Sequence, residues 1–197
     1  MKDSRGLAGV GSITGNRLDS AGGTITFAPG VRGDAAVFDG SSGIRLPRGL
    51  LAGNEYSVAL WVKPTELTEL STAFFGARDR DNWVSLVPRG SGAANNETMV
   101  WSGSAAWYNA TTRVKIPADA WTHLAFTVQN GTIVVYVNGA QKFKAPNFSN
   151  VLTTTTGTFG LGVNWWDVPF KGAMDELHLY ESALTAEEVA ALAREAP

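Results

Sequence analysis

An apolar alternation of period two constrains this chain more than any other feature. Tyr56–Lys63 reads Y-S-V-A-L-W-V-K, with Val58, Leu60 and Val62 on one face. Thr122–Val128 sets Leu124, Phe126 and Val128 on one face, and Thr132–Val137 does the same with Ile133, Val135 and Val137. Such alternation is the mark of a strand with one side buried. Gln129-Asn130-Gly131 and Val137-Asn138-Gly139-Ala140 stand at the joints. Asn-Gly supplies the positive φ that a tight hairpin turn demands. The stretch from Trp121 to Phe143 therefore reads as a three-stranded antiparallel meander.

The same pattern predicts strands over Ala35–Phe38, Gly43–Leu46, Thr72–Ala77, Trp83–Pro88, Thr98–Trp101, Thr112–Ile116, Thr158–Val163 and Gly172–Tyr180. One helix is expected over residues 185–195, where Thr185 and Glu188 make a capping box and Val189 and Leu192 an apolar stripe. The expected fold is all-β, an antiparallel two-sheet jelly-roll sandwich with a short C-terminal helix. Its 197 residues fit one domain, large enough to bury a core without staples. The absence of Cys removes disulfides, thiolate metal sites and Cys nucleophiles. With 44% hydrophobic and 17% charged residues the chain is not a disordered one. No apolar run reaches the ~18 residues of a membrane span. Lys and Arg number 16 against 18 Asp and Glu, with no basic stripe, which disfavours nucleic acid as a partner. The polar start lacks a signal-peptide apolar core, and both ends read as cut edges of a longer protein.

Motif order carries a resemblance. Val37-Phe38-Asp39-Gly40-Ser41-Ser42 precedes a strand, and Ser57-Val58-Ala59-Leu60-Trp61-Val62-Lys63-Pro64 follows. Then come Trp121-Thr122-His123-Leu124-Ala125, Val135-Tyr136-Val137-Asn138-Gly139, Phe170–Tyr180 and Ala183-Leu184-Thr185. Over residues 31 to 192 this resembles the concanavalin A-like, laminin-G-like jelly rolls of bacterial secreted proteins. Residues 1–30 match poorly. Phe74–Asp79, Val100–Gly103, Trp107-Tyr108 and Leu161–Asp167 narrow the resemblance to ancillary modules of glycoside hydrolases that cleave arabinan and arabinose. Fold does not fix function, which lives in particular site residues.

Catalytic machinery is not legible. A glycosidase needs two carboxylates about 5 to 9.5 Å apart across the bond. The E-x-D-x-x-E strand that the resemblance to jelly-roll glycosidases would call for is absent. Asp79 and Asp81 lie in a turn-like Asp79-Arg80-Asp81-Asn82, and Glu187 and Glu188 suit a helix start. His123 and His178 have no nucleophile elbow to serve, and His123 reads as a structural residue.

Asp39 and Asp175 are the candidate metal ligands. Asp175 alternates with Leu177 and Leu179, so it is expected to point inward, where an unpaired carboxylate is costly. Asp39 sits in a Gly-flanked turn, and hard oxygen donors favour Ca²⁺. The resemblance likewise implies a structural calcium at these Asp positions. The alternative is that Asp39 caps its own turn and Asp175 accepts backbone N–H groups.

Seven Trp exceed the needs of such a core. Trp61 and Trp121 read as packed in the sheet, whereas Trp83, Trp107-Tyr108 and Trp165-Trp166 stand at loop edges among Asn, Asp and Gly. Adjacent Trp residues point to opposite sides of an extended strand, so one of Trp165 and Trp166 is expected to be exposed. An indole stacks on the apolar C–H face of a sugar, whose hydroxyls are met by Asn, Asp and Arg. The expected saccharide site comprises Trp83, Trp101, Trp107, Tyr108, Asn164, Trp165 and Trp166, with Arg78 and Asp79 assisting. The alternative is that several of these rings pack under their own loops as satellite clusters, and Trp101, which shares a face with Met99, reads equally as core. Such a site gives roughly 4 to 8 kcal/mol, micromolar to millimolar binding. The expected function is non-catalytic binding of an oligosaccharide or polysaccharide, as a module covalently linked to the catalytic domain of a secreted or cell-surface bacterial enzyme. A laminin-G-like protein-interaction module and a jelly-roll glycosidase or lyase with an unfamiliar site are the alternatives.

Overall fold

The meander forms as the alternation demands. In the computed structural model, which describes residues 11–194, β10 (Thr122–Gln129) pairs with β11 (Thr132–Val137), Leu124 opposite Val137 and Gln129 opposite Thr132. Asn130 and Asn138 take φ of 47° and 50°, with Gly131 and Gly139 at 78° and 75° behind them, which makes both links two-residue turns. Strand β12 (Ala140–Ala145) closes the meander. On the other side, β5 (Glu55–Glu66) pairs with β10 so that Leu60 faces Leu124 and Val58 faces Phe126.

The remaining strands are β1 (Ser12–Thr14), β2 (Ile25–Pro29), β3 (Asp34–Asp39), β4 (Gly43–Leu46), β6 (Phe74–Ala77), β7 (Trp83–Val87), β8 (Met99–Gly103), β9 (Tyr108–Thr111), β13 (Thr158–Leu161) and β14 (Lys171–Tyr180). They build two seven-stranded antiparallel sheets, ordered β1-β4-β13-β6-β7-β8-β9 and β12-β11-β10-β5-β14-β3-β2. The expected all-β jelly-roll sandwich is therefore the fold. Phe38, Phe74, Leu86, Val100, Phe126, Phe159 and Phe170 fill the space between the sheets. The poorly matched N-terminal stretch supplies an edge strand to each sheet, β1 beside β4 and β2 beside β3.

Helix α1 (Ala186–Arg194) begins at the expected capping box. The Glu188 N–H donates to Thr185 Oγ1 at 3.2 Å, and the Thr185 N–H donates to Glu188 Oε2 at 2.7 Å. Its Val189 packs on Ala59, Ala125 and Tyr136, so the helix covers part of the outer face of the β5–β10–β11 sheet.

Two expectations about strands are corrected. Thr112–Ile116 is not a strand; pairing runs over Tyr108–Thr111 instead. Arg113 adopts φ of 59°, which breaks the extended path, and the Thr112 hydroxyl donates to the Thr98 carbonyl at 2.6 Å. Asp175 is buried, as expected, but not between the sheets. Met174 faces Val62 in the core and Asp175 faces Trp61 on the outer side, and a bulge between Asp175 and His178 then resets the alternation. Glu176, at φ of 47°, is the residue of the bulge, and it returns Leu177 and Leu179 to the core.

The same register separates the two candidate calcium ligands. Asp39 faces Lys171, four residues before Asp175, which is about 13 Å along a strand. Asp39 accepts the N–H and hydroxyl of Ser41, each at 2.8 Å, and Asp175 accepts the N–H groups of Arg32 and Glu176, each at 2.9 Å. These carboxylates do not fit one shared Ca²⁺. Among the described residues no group of three or more His, Cys, Asp or Glu is arranged to hold a metal. The unfolding temperature is expected to be the same in EDTA and in excess Ca²⁺. A rise of several degrees with Ca²⁺ would show that one of the two carboxylates, or another set of oxygens, holds an ion without the other.

His123 is buried beside Trp61, ring centroids 5.3 Å apart, and its Nδ1 has no hydrogen-bond partner among the described residues. Desolvation, aided by nearby His178, holds it at about 4 against an ordinary 6.5. The unfolded chain therefore takes a proton that the folded one refuses as pH falls from 6.5 towards 4. The contribution of neutral His123 to stability is complete above pH 6.5 and shrinks across that window by about 1.4 kcal/mol per pH unit. Urea unfolding of wild type and His123→Gln should show the difference between them changing by about 2–3 kcal/mol from pH 7 to pH 4.5. A pH-independent difference would refute this placement of the proton.

Candidate carbohydrate-binding site

The outer face of the other sheet carries the aromatic residues. Alternation turns Phe74, Val84, Leu86 and Val100 into the core and leaves Phe75, Ala77, Trp83 and Trp101 on the outer side, where they form a second cluster with Leu18 and Val163. Trp83 stands between Ala77 and Gly103 in neighbouring strands. A Cβ at Gly103 would lie 2.5 Å from Trp83 Nε1, so the indole lies across β8 only because that residue has no side chain. A Cβ at Gly160 would likewise lie 2.7 Å from Leu18 Cδ1, the contact through which the N-terminal segment seals the cluster.

Trp83 is the hub. It is only 4% exposed, and its ring lies 4.9 Å from Trp101, 5.7 Å from Trp107 and 5.5 Å from Trp166. Trp107 stacks on Trp101 at 5.1 Å with 17° between planes, so one indole face is supported and the ring is still 68% exposed. Trp166 is 40% exposed, as expected for one of that pair. Trp165 packs edge-on against Phe75 at 5.2 Å. An open cleft of about 310 Å³ lies beside the Trp101–Trp107 stack, bounded by Leu70, Ser91, Met99 and Asn109. Trp83, Trp101, Trp107, Trp165 and Trp166 are thus brought together.

The other candidates are not. Tyr108 follows Trp107 directly and so faces the opposite side. It packs edge-on to Phe148 at 5.3 Å, and its hydroxyl donates to the Pro146 carbonyl at 2.8 Å. Asn164 is buried and organises its own loop: its amide donates to Asp167 at 2.7 Å, and its oxygen accepts the N–H groups of Trp166 and Asp167. Burial raises the pKa of that Asp167 carboxyl, against the hydrogen bond from Asn164. Arg78 donates to Asp79 at 2.9 Å and to Thr153 Oγ1 at 3.0 Å. Asp79 closes the β6–β7 turn by accepting from Asp81 N–H and Asn82 Nδ2, and the Asn82 amide, then Arg78, hold it down at about 2.

Two residues at the site were not singled out from the sequence. The Arg80 guanidinium lies 5.0 Å from the centre of the Trp165 ring. Asp19 lies 3.6 Å from Arg80 and is held at 2.8 Å by Arg45 of β4. Arg80 shares the turn already noted, but nothing in the sequence marks it above Arg78. Asp19 belongs to the stretch with no recognisable pattern.

Residues 38–190 match the laminin G-type profile described as the concanavalin A-like lectin/glucanases superfamily. The chain belongs to the concanavalin A-like lectin/glucanases superfamily. Among solved members of this fold, domain 4 of AbnA, a GH43 extracellular arabinanase from Geobacillus stearothermophilus, in complex with arabinotriose, is 56% identical. The match has a TM-score of 0.94 and covers 98% of this chain and 92% of that one. Two distant structures share the fold alone. A pentraxin from Limulus polyphemus has a TM-score of 0.58 at 16% identity, covering 71% of this chain and 70% of that one. The CBM40 of the Ruminococcus gnavus IT-sialidase, bound to α2,3-sialyllactose, has 0.56 at 13%, covering 72% and 84%. No curated protein matches the chain. Among the described residues no helix is long and apolar enough to cross a membrane.

In this superfamily member the hub and the platform separate energetically. Trp83→Ala empties a packed position and should cost about 3–5 kcal/mol of unfolding free energy. Trp107→Ala, already solvent-facing, should cost under about 1 kcal/mol. Equal losses in urea titrations would contradict the assignment of Trp83 as support and Trp107 as surface.

Proposed function

We propose that this domain is a non-catalytic carbohydrate-binding module of a secreted glycan-degrading enzyme, and that it takes an arabino-oligosaccharide on the indoles of Trp107 and Trp166. The observation that carries the reading is its 56% identity, over 98% of its length, to an arabinanase domain in complex with arabinotriose. The exposed indoles supply the chemistry. A furanose offers an apolar C–H face that sheds water on an indole, and Trp101 and Trp83 hold the two exposed rings so that little freedom is lost on binding. Trp101, Trp83 and Trp165 act as supports. Joined to a catalytic domain, the module raises the effective concentration of polysaccharide at that domain.

A sugar covering roughly 50–80 Å² of one indole gains about 1–2 kcal/mol from that contact. Trp107→Ala and Trp166→Ala should each raise the Kd for arabinotriose about 5- to 30-fold in isothermal titration, with unfolding temperatures near that of wild type. Wild-type affinity in both variants would refute the platform.

A further inference from the structure

The polar partner of the indole platform is the least engaged arginine beside it. Arg80 has five N–H donors in a planar fork. Its ring contact with Trp165 at 5.0 Å orients the fork, and its one ionic neighbour, Asp19, lies at 3.6 Å, beyond a hydrogen bond. Arg80 makes no hydrogen bond among the described residues, and its side chain is 60% exposed. Arg78, two residues away, is by contrast committed to Asp79 and Thr153. Asp19 is half exposed and is fixed by Arg45 through Oδ1 at 2.8 Å, which leaves Oδ2 towards Arg80. A positioned donor and a positioned acceptor thus stand side by side, next to the ring that Trp165 shares with Trp166 at 5.4 Å.

We propose that Arg80 and Asp19 together read a vicinal diol of the bound sugar, Arg80 donating to one hydroxyl oxygen and Asp19 accepting the proton of its neighbour. The two charges offset each other, and Arg45 is itself spent on Asp19, so the pair suits a neutral sugar rather than a uronate. A furanose linked through O1 and O5 keeps O2 and O3 as its free vicinal pair. A branch on either oxygen removes one hydroxyl hydrogen and sets a bulky substituent against the Arg80–Asp19 pair. The module therefore selects unbranched stretches of a neutral furanose polymer and discriminates against branched ones. This inference rests on the proposed saccharide-binding reading and adds the specificity to it.

The test is isothermal titration of two ligands into wild type, Arg80→Gln, Arg80→Lys, Asp19→Asn and Trp107→Ala. The ligands are linear arabinotriose and an arabino-oligosaccharide bearing an arabinosyl branch on O2 or O3 of each internal residue. Wild type should bind the linear ligand about tenfold or more tightly than the branched one. Arg80→Gln and Asp19→Asn should lose about tenfold on the linear ligand and little on the branched one, which erases the preference. Arg80→Lys keeps the charge without the fork and should recover only part of the preference. Trp107→Ala should weaken both ligands alike. Thermal unfolding of each variant separates a lost contact from a lost fold, and Arg80→Lys carries the test if Asp19→Asn unfolds. A wild type without preference, or an Arg80→Gln variant that retains it, overturns the inference while leaving the platform standing. A wild type that binds neither ligand overturns both.

Discussion

An indole laid across a glycine organises the aromatic face of the domain. A β-sheet seals one side against its partner sheet and leaves the other to solvent, and an outward Trp on such a face ordinarily lies loose. Here the missing Cβ of Gly103 lets Trp83 lie down on β8, and Leu18, packed over Gly160, closes the far side of the cluster. Once Trp83 is fixed, Trp101, Trp107 and Trp166 have a rigid surface to lean on, each within 5.7 Å of it. Rings held in this way lose little freedom when a ligand stacks on them.

The two sheets divide the labour. The β5–β10–β11 face buries Trp61 against His123 and takes the C-terminal helix on Ala59 and Ala125. The β6–β7–β8 face carries the exposed indoles instead. Loops at its margins bring what the strands cannot: the Asn164 turn presents Trp166, and the β6–β7 turn, closed by Asp79, presents Arg80. Asp79 and Asn164 thus matter by shaping the turns rather than by facing the cleft.

Much of this was legible in the sequence. The meander, its Asn-Gly turns and the capping box were local patterns that the tertiary structure leaves undisturbed. Four of the five clustered Trp residues were also recognisable, because indoles near Gly, Asn and Asp at loop edges are poor core material, whereas Trp101, on the face of Met99, read equally as core. Tyr108 was misplaced although alternation alone puts it opposite Trp107. Asp175 was misplaced because a bulge at Glu176 resets the phase of its strand, and a one-residue insertion leaves no mark on an alternating pattern. Arg80 and Asp19 lay beyond reach, since their meeting depends on how an edge strand brings a distant segment to the β6–β7 turn.

The most direct test of the account is a titration of arabinotriose followed through the indole Nε1–H resonances of the seven Trp residues. Trp107 and Trp166 should shift first and most, with smaller responses at Trp101, Trp83 and Trp165. Trp61 in β5 of the opposite sheet, and Trp121 just ahead of β10, should stay fixed. Saturable shifts at Trp61 or Trp121, with none at Trp107 or Trp166, would contradict it.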